Sequence, residues 1–201
     1  MSSYTQSIQS LISELSRLPG IGARSAERIA FHLLKQSKED AMRLADAIAD
    51  VKTKIKHCQT CYNLTEEDPC RICRDPRRDQ SLVCVVEQPK DLLALEAAAA
   101  YGGTYHVLLG RIAPLDAAGP DELTIAALLQ RLEAGGIHEL IMATNPTMEG
   151  DGTALYITDL VKSRFPTVQV TKLARGLPAG ASIEYANRNI LADALSGRRK
   201  M

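Results

Sequence analysis

The chain has 201 residues, with 24 Lys+Arg against 24 Asp+Glu, so its formal net charge is zero and no global field draws it to a polyanion. Its length allows one good core, or a core of about 100 residues with smaller appendages. No basic N-terminal stretch leads into an apolar run, and no segment reaches the roughly 18 apolar residues of a membrane span, so a cytoplasmic protein with no membrane partner is expected.

Tyr4, Ile8, Leu11, Ile12, Leu15 and Leu18 write a helical apolar stripe that Pro19 and Gly20 stop. A second helix is expected from about Arg24 to Gln36, with Ala26, Ile29, Ala30, Leu33 and Leu34 on its inner side. A third covers about Lys38 to Ile55, on Ala41, Ala45, Ile48, Val51 and Ile55. Beyond residue 80 the rhythm changes. Short apolar runs at Leu82–Val86, Tyr105–Leu109, Leu140–Ala143 and Val168–Leu173 alternate with helical stretches at 91–100, Asp121–Ala134 and Ala154–Arg164. Strand alternating with helix predicts a parallel sheet covered on both faces, with functional loops at the C-terminal ends of its strands. A last helix is expected over about Tyr185 to Leu195, before the basic ending Arg198-Arg199-Lys200.

Between the two halves lie Cys58, Cys61, Cys70 and Cys73, spaced C-x2-C-x8-C-x2-C. Two tight pairs at this separation suit a tetrahedral Zn²⁺ held by four thiolates, and a reducing cytosol disfavours two disulfides. The segment 57–74 is too short and polar to order itself without metal; about 10–16 kcal/mol of apparent binding free energy would supply that order. Zinc here is expected to be structural. Arg71, Arg74, Arg77 and Arg78 crowd its far end, which reads as the solvated rim of a clip rather than a DNA reader. Cys84, inside an apolar run, is read as a small buried hydrophobe.

Leu18-Pro19-Gly20-Ile21-Gly22 joins two amphipathic helices. Such a glycine turn lets backbone approach a phosphate closely, and the following helix offers free N–H groups to the anion. Arg24 and Arg28 stand one turn apart on that helix and add positive charge to one face. The pattern resembles the helix-hairpin-helix motif, which grips the DNA backbone without reading sequence. The candidate DNA-binding residues are Gly20, Gly22, Arg24 and Arg28; the bland alternative is a glycine turn between packed helices.

Glu87 follows the first strand, and Ala143-Thr144-Asn145-Pro146-Thr147-Met148-Glu149-Gly150-Asp151 follows the third. Three carboxylates gathered there suit Mg²⁺ chemistry, and the pattern resembles a Toprim domain. In catalytic members the loop carries an Asp-x-Asp pair, but here Asn145-Pro146-Thr147 stands in its place. Losing two hard oxygen ligands argues against Mg²⁺ and against catalysis. Glu87, Glu149 and Asp151 are read instead as an acidic docking edge.

Hairpin, cysteine quartet, Toprim-like segment and tail, in that order over essentially the whole chain, resemble the RecR family of bacterial recombination mediators. The specific pieces include Ala143-Thr144-Asn145-Pro146-Thr147, and Gly176-Leu177-Pro178 with Glu184-Tyr185. The resemblance implies a non-enzymatic adaptor of recombinational DNA repair that works with RecO and RecF. Together they load RecA on single-stranded DNA coated by single-strand-binding protein. It also implies homodimers and homotetramer rings built through the N-terminal helices and through the Toprim and tail regions. Arg24 and Arg28 match the family's basic hairpin residues, and Glu87, Glu149 and Asp151 match acidic residues linked to RecO contact. The tail departs from the family pattern: Gly180-Ala181 replaces two glycines, and Asn187 stands where an aspartate is usual.

The expected fold is therefore an α+β multi-part chain. A helix-hairpin-helix bundle occupies 1–56, a four-cysteine zinc clip 57–74, a Toprim-like α/β domain with a four-stranded parallel sheet 80–175, and an oligomerising helical tail 176–201. The competing functional classes are a Mg²⁺-dependent Toprim phosphotransferase, such as a nuclease or primase-like enzyme, and a scaffold that binds only proteins.

Overall fold

A computed structural model describes residues 4–199 except Ala117; Lys200, the last residue of the basic ending, lies outside the described residues. The chain forms two compact units that divide after Ile55.

The first unit is three helices: α1 (Gln6–Ser16), α2 (Ala23–Lys35) and α3 (Lys38–Lys54). Their bounds follow local chemistry. Ser37 starts α3 by accepting the Asp40 N–H at 3.1 Å, and Gly20, at φ +80°, makes the left-handed turn that ends the α1 region. Ala26 and Ala30 are the buried residues of α2, small enough to let α1 approach, whereas α1 and α3 bury no residue fully. Leu11, Leu15, Leu33, Leu34, Ala41, Leu44, Ala45 and Ile48 line an open apolar groove.

The second unit begins with a short antiparallel pair, β1 (Lys56–His57) and β2 (Leu64–Thr65). A four-stranded parallel sheet follows, in the order β4 (Gly103–Val107), β3 (Asp79–Val86), β5 (Glu139–Met142), β6 (Gln169–Lys172). The helices are α4 (Pro89–Ala97), α5 (Ile125–Glu133), α6 (Met148–Arg164) and α7 (Arg188–Ser196). Alternation along the strands splits the apolar side chains into two cores. Val83, Val85, Leu140 and Met142 pack on one face with Leu128, Leu132, Ile157 and Val161 from α5 and α6. Cys84, Val86, Tyr105 and Val107 face the other way, onto Leu92 of α4, Ile72 and the sulfurs of Cys58, Cys61 and Cys70. The sheet is covered on both faces as expected, but the cysteine clip supplies much of one cover. The clip is thus part of the α/β unit, where the sequence suggested a separate segment.

Three helix starts differ from expectation by three residues or more. The helix expected from Asp121 starts at Ile125, because Pro120–Glu122 is a 3₁₀ turn and Leu123 is extended and buried. Thr124, at the N-cap position, donates its hydroxyl to the Val107 carbonyl at 2.7 Å and accepts no main-chain N–H of the helix. Helix α6 starts at Met148 instead of Ala154: Thr147 caps it by accepting the Gly150 N–H at 3.0 Å, and Glu149 and Asp151 suit the positive end of the helix dipole. Gly150 and Gly152 disfavour a helix by propensity, and the cap overrides them. In the tail, Asn187 accepts the Ile190 N–H at 3.0 Å and starts α7 three residues later than Tyr185.

Candidate metal centre and nucleic-acid interface

The four cysteine sulfurs converge. Their ligand atoms all lie within 4.8 Å of one another, with Cys61 and Cys70 at 3.6 Å and Cys58 and Cys73 at 4.0 Å. A tetrahedron with Zn–S bonds of about 2.3 Å has edges of about 3.8 Å, so these separations suit zinc and are far too long for disulfides. Backbone donors complete the cage. The Cys70 N–H points to the Cys58 sulfur at 3.4 Å, Asn63 donates to Cys61, and Ile72 and Cys73 donate to Cys70. Each pair is thus a turn whose N–H groups soften thiolate charge.

The thiols also compete for protons. Hydrogen bonding to Cys70 pushes the Cys61 thiol up to about 12, and hydrogen bonding to Cys61 and then Cys70 raises Cys73, while contact with Cys61 draws Cys70 down. Four such groups ionise together only around a cation. The residues present fit Zn²⁺. His57 stands outside: its Nδ1 lies 3.0 Å from the Tyr62 carbonyl, and the residue is exposed. Cys84 lies in the core beside the clip, and burial pushes its thiol up to about 12. The arginine rim is largely engaged. Arg74 pairs with Glu67, Arg77 with Asp75 at 2.8 Å, and Arg78 with Glu96 at 2.7 Å; Arg78 also donates to the Gly103 carbonyl at 3.1 Å.

In the first unit, Leu18-Pro19-Gly20-Ile21-Gly22 forms the turn between α1 and α2, closed by Ile21 N–H to the Leu18 carbonyl at 3.1 Å. Gly22 is the N-cap of α2 without a side-chain cap, and the first main-chain bond of that helix is Ala26 N–H to Gly22 O at 2.9 Å. No atom among the described residues lies within 4 Å of where a Cβ would sit on Gly20 or Gly22, so the turn is open to an incoming group. Arg24 and Arg28 follow on α2, both exposed and neither in an ion pair among the described residues. Among the other cations of the unit, Arg17 pairs with Glu14, Arg43 with Asp40 and Lys54 with Asp50, while Lys35, Lys38 and Lys52 are, like the two arginines, exposed and in no ion pair among the described residues.

At the C-terminal ends of β3 and β5 the three carboxylates differ in exposure and in partners. Glu87 is 3% exposed, and both its oxygens accept from Asn145, main-chain N–H to Oε1 and Nδ2 to Oε2, each at 2.8 Å. Asp151 is partly exposed and tied to Lys172 Nζ at 2.7 Å and Arg175 Nη1 at 2.9 Å; those partners, Arg175 foremost, hold its carboxyl down to about 2. Of the three, only Glu149 is exposed and outside any ion pair among the described residues. Burial of Glu87 and the ion pairs of Asp151 thus engage two of the three carboxylates within the unit.

Comparison with known proteins agrees with this layout. Residues 8–52 match the RecR helix-hairpin-helix model, 55–75 the RecR four-cysteine zinc finger domain, and 81–174 the Toprim domain. The chain is 55% identical over 201 residues to a recombination protein RecR from Rhodopirellula baltica, covering 100% of both chains. It is 49% identical over 201 residues to one from Rubrobacter xylanophilus, again over 100% of both, and 51% identical over 198 residues to one from Acidothermus cellulolyticus, over 98% of both. The chain belongs to the RecR family.

Within this RecR family member, several participants carry no sequence signal of their pairing. Asn145 and Gly150 stand in the loop motif after the third strand, but nothing in that motif points to Glu87; the cations Lys172 and Arg175 belong to no motif. A buried strand-end glutamate and an amide at the end of a neighbouring strand become partners only once β3 and β5 are known to pair. No helix among the described residues is long and apolar enough to cross a membrane.

Proposed function

We propose that the protein is a non-enzymatic, sequence-independent DNA-binding adaptor of recombinational DNA repair, in line with the name its relatives carry. The observation that carries this reading is the pair Arg24 and Arg28, exposed, without ion pairs among the described residues and set directly after an open glycine turn. Phosphate contacts of that kind position a protein on DNA and read no bases. With a net charge of zero, one subunit holds DNA weakly, so several hairpins on one assembly act through effective concentration.

Assembly into a homodimer or homotetramer ring is part of the same proposal. Helix α3 buries nothing fully, and Leu44, Ile48 and Val51 on it are 47%, 59% and 60% exposed, the mark of a face that another copy covers. In the tail, Leu177, Ile183, Tyr185 and Leu195 are exposed as well. The adaptor acts in the cytoplasm with RecO and RecF to load RecA on single-stranded DNA coated by single-strand-binding protein. The acidic residues Glu87, Glu149 and Asp151 serve the protein-docking side, Glu149 by direct contact and the other two by holding the surface around it. Zinc is structural. A Mg²⁺-dependent phosphotransferase is the competing class, and two of the carboxylates it needs are already engaged.

The test is the double variant Arg24→Ala, Arg28→Ala, measured by anisotropy on gapped DNA at two salt concentrations. DNA affinity and its salt slope are expected to fall together, with zinc content and solution mass unchanged. Unaltered affinity removes the hairpin from the DNA interface.

A further inference from the structure

The Toprim fold implies a Mg²⁺ ion held between the strand-end glutamate and the acids of the next loop, and the residues here do not fit one. Pairing of β3 with β5 brings Glu87, one residue past Val86, against Asn145. The Asn145 main-chain N–H and Nδ2 fill both carboxylate oxygens at 2.8 Å, while Glu87 is shut from solvent. The first turn of α6 closes the remaining side. A Cβ on Gly150 would stand 2.1 Å from the Asn145 carbonyl oxygen and 2.7 Å from Glu87 Oε1, so no side chain has room at 150. Thr147 occupies the second acidic position of the catalytic pattern, and its hydroxyl is used on the Gly150 N–H while its own N–H donates to the Asn145 carbonyl at 2.8 Å. Asp151 is held by Lys172 and Arg175.

We infer that the Asn145 amide stands in the place of a cation, locking Glu87 in a two-bond pair that makes Glu87 a positioning residue for the 145–150 turn. A buried carboxylate needs either a metal or donors. Here a neutral amide and a main-chain N–H supply the donors permanently, and the turn that presents Glu149 is fixed without any ion. The pair therefore converts a site that would depend on Mg²⁺ into one that is indifferent to it.

The lock has an orientation, which makes it testable by reversal. In Asn145→Asp two carboxylates face each other, whereas in Glu87→Gln the Asn145 amide can turn over so that its Oδ1 accepts from the new NH₂. In the double variant Glu87→Gln, Asn145→Asp the main-chain N–H still finds a carbonyl oxygen, and the new glutamine donates to the new aspartate. Thermal midpoints of the four zinc-loaded proteins are compared, and Mn²⁺ binding is followed by loss of the free-ion paramagnetic resonance signal.

Asn145→Asp is expected to lose several degrees, Glu87→Gln distinctly less, and the double variant to regain most of the loss of Asn145→Asp. Only Asn145→Asp is expected to gain Mn²⁺ binding, with a midpoint that rises as Mn²⁺ is added. A double variant no better than the poorer single overturns the lock. So does Mn²⁺ binding by the native chain that Glu87→Gln removes. None of these measurements includes DNA, so the result stands apart from the hairpin reading.

Discussion

The main-chain N–H of Val107 donates to the carbonyl of Cys61 at 2.8 Å. That bond ties a metal-ligand turn to the edge strand β4, and it sits beside a core in which Cys58, Cys61 and Cys70 pack against Tyr105, Val107 and Val86. An open sheet edge is an aggregation liability, and the clip covers part of this one. Metal binding here is thus coupled to the parallel sheet as well as to the local turn.

Chelating zinc should therefore lower the thermal midpoint of the α/β unit and expose the Val107 amide to exchange together with residues 56–75. Hydrogen exchange with and without chelator measures this. Full retention of Val107 protection in the metal-free protein contradicts the coupling.

Gly20 and Gly22 differ in what an added side chain would disturb. Gly20 has φ +80°, so Gly20→Ala is expected to cost the helical unit about 1–2 kcal/mol although no neighbour crowds it. Gly22 has φ −82°, which alanine adopts freely. There the loss of a favourable N-cap and the gain in unfolded-state entropy offset to within about 0.5 kcal/mol. Gly22→Ala should leave chemical denaturation unchanged and still weaken DNA retention in anisotropy, because the added methyl keeps backbone from phosphate. Native DNA affinity in that variant argues against close backbone approach.

His106 makes the α/β unit sensitive to mild acid. Its Nε2 lies 2.9 Å from Thr124 Oγ1 and 3.1 Å from the Thr124 carbonyl. Since that hydroxyl donates to Val107, Nε2 carries the proton, and Nδ1 is buried without a donor among the described residues. Burial pushes His106 down to about 4 from an ordinary 6.5. The unfolded chain takes up a proton as pH falls through about 6.5 while the folded chain does not, so the stability is full above that pH and is lost as pH falls toward about 4. Between about pH 7.5 and about pH 5 the loss is about 2 kcal/mol. Urea denaturation of the native chain and His106→Gln at both pH values tests this; equal acid losses in the two proteins count against it.

Ile48→Glu places a charge at the rim of the apolar groove on α3, where the isoleucine is 59% exposed. Sedimentation should show a drop in assembly mass with helix content retained. An unchanged mass shows that this face is not an interface between copies.

Much of this is legible in the chain itself because it is local. The spacing of Leu11, Leu15 and Leu18, the stop at Pro19-Gly20 and the cysteine quartet each depend on residues within a few turns of one another, and the structure follows them closely. The helix starts at Ile125 and Met148 are hidden for the opposite reason. Thr124 is claimed by the Val107 carbonyl 17 residues away, and Gly150 is held against Glu87 and Asn145.

Residue spacing alone carries the four-thiol ligand set, the glycine turn with its two arginines, and the lack of an Asp-x-Asp pair at Asn145 and Thr147. That the clip roofs the sheet and that Glu87 is buried against Asn145 follows from how distant segments pack. Strand order is what joins Glu87 to Asn145, 58 positions apart, and a buried carboxylate takes its role from the donors packed around it, which no local spacing encodes.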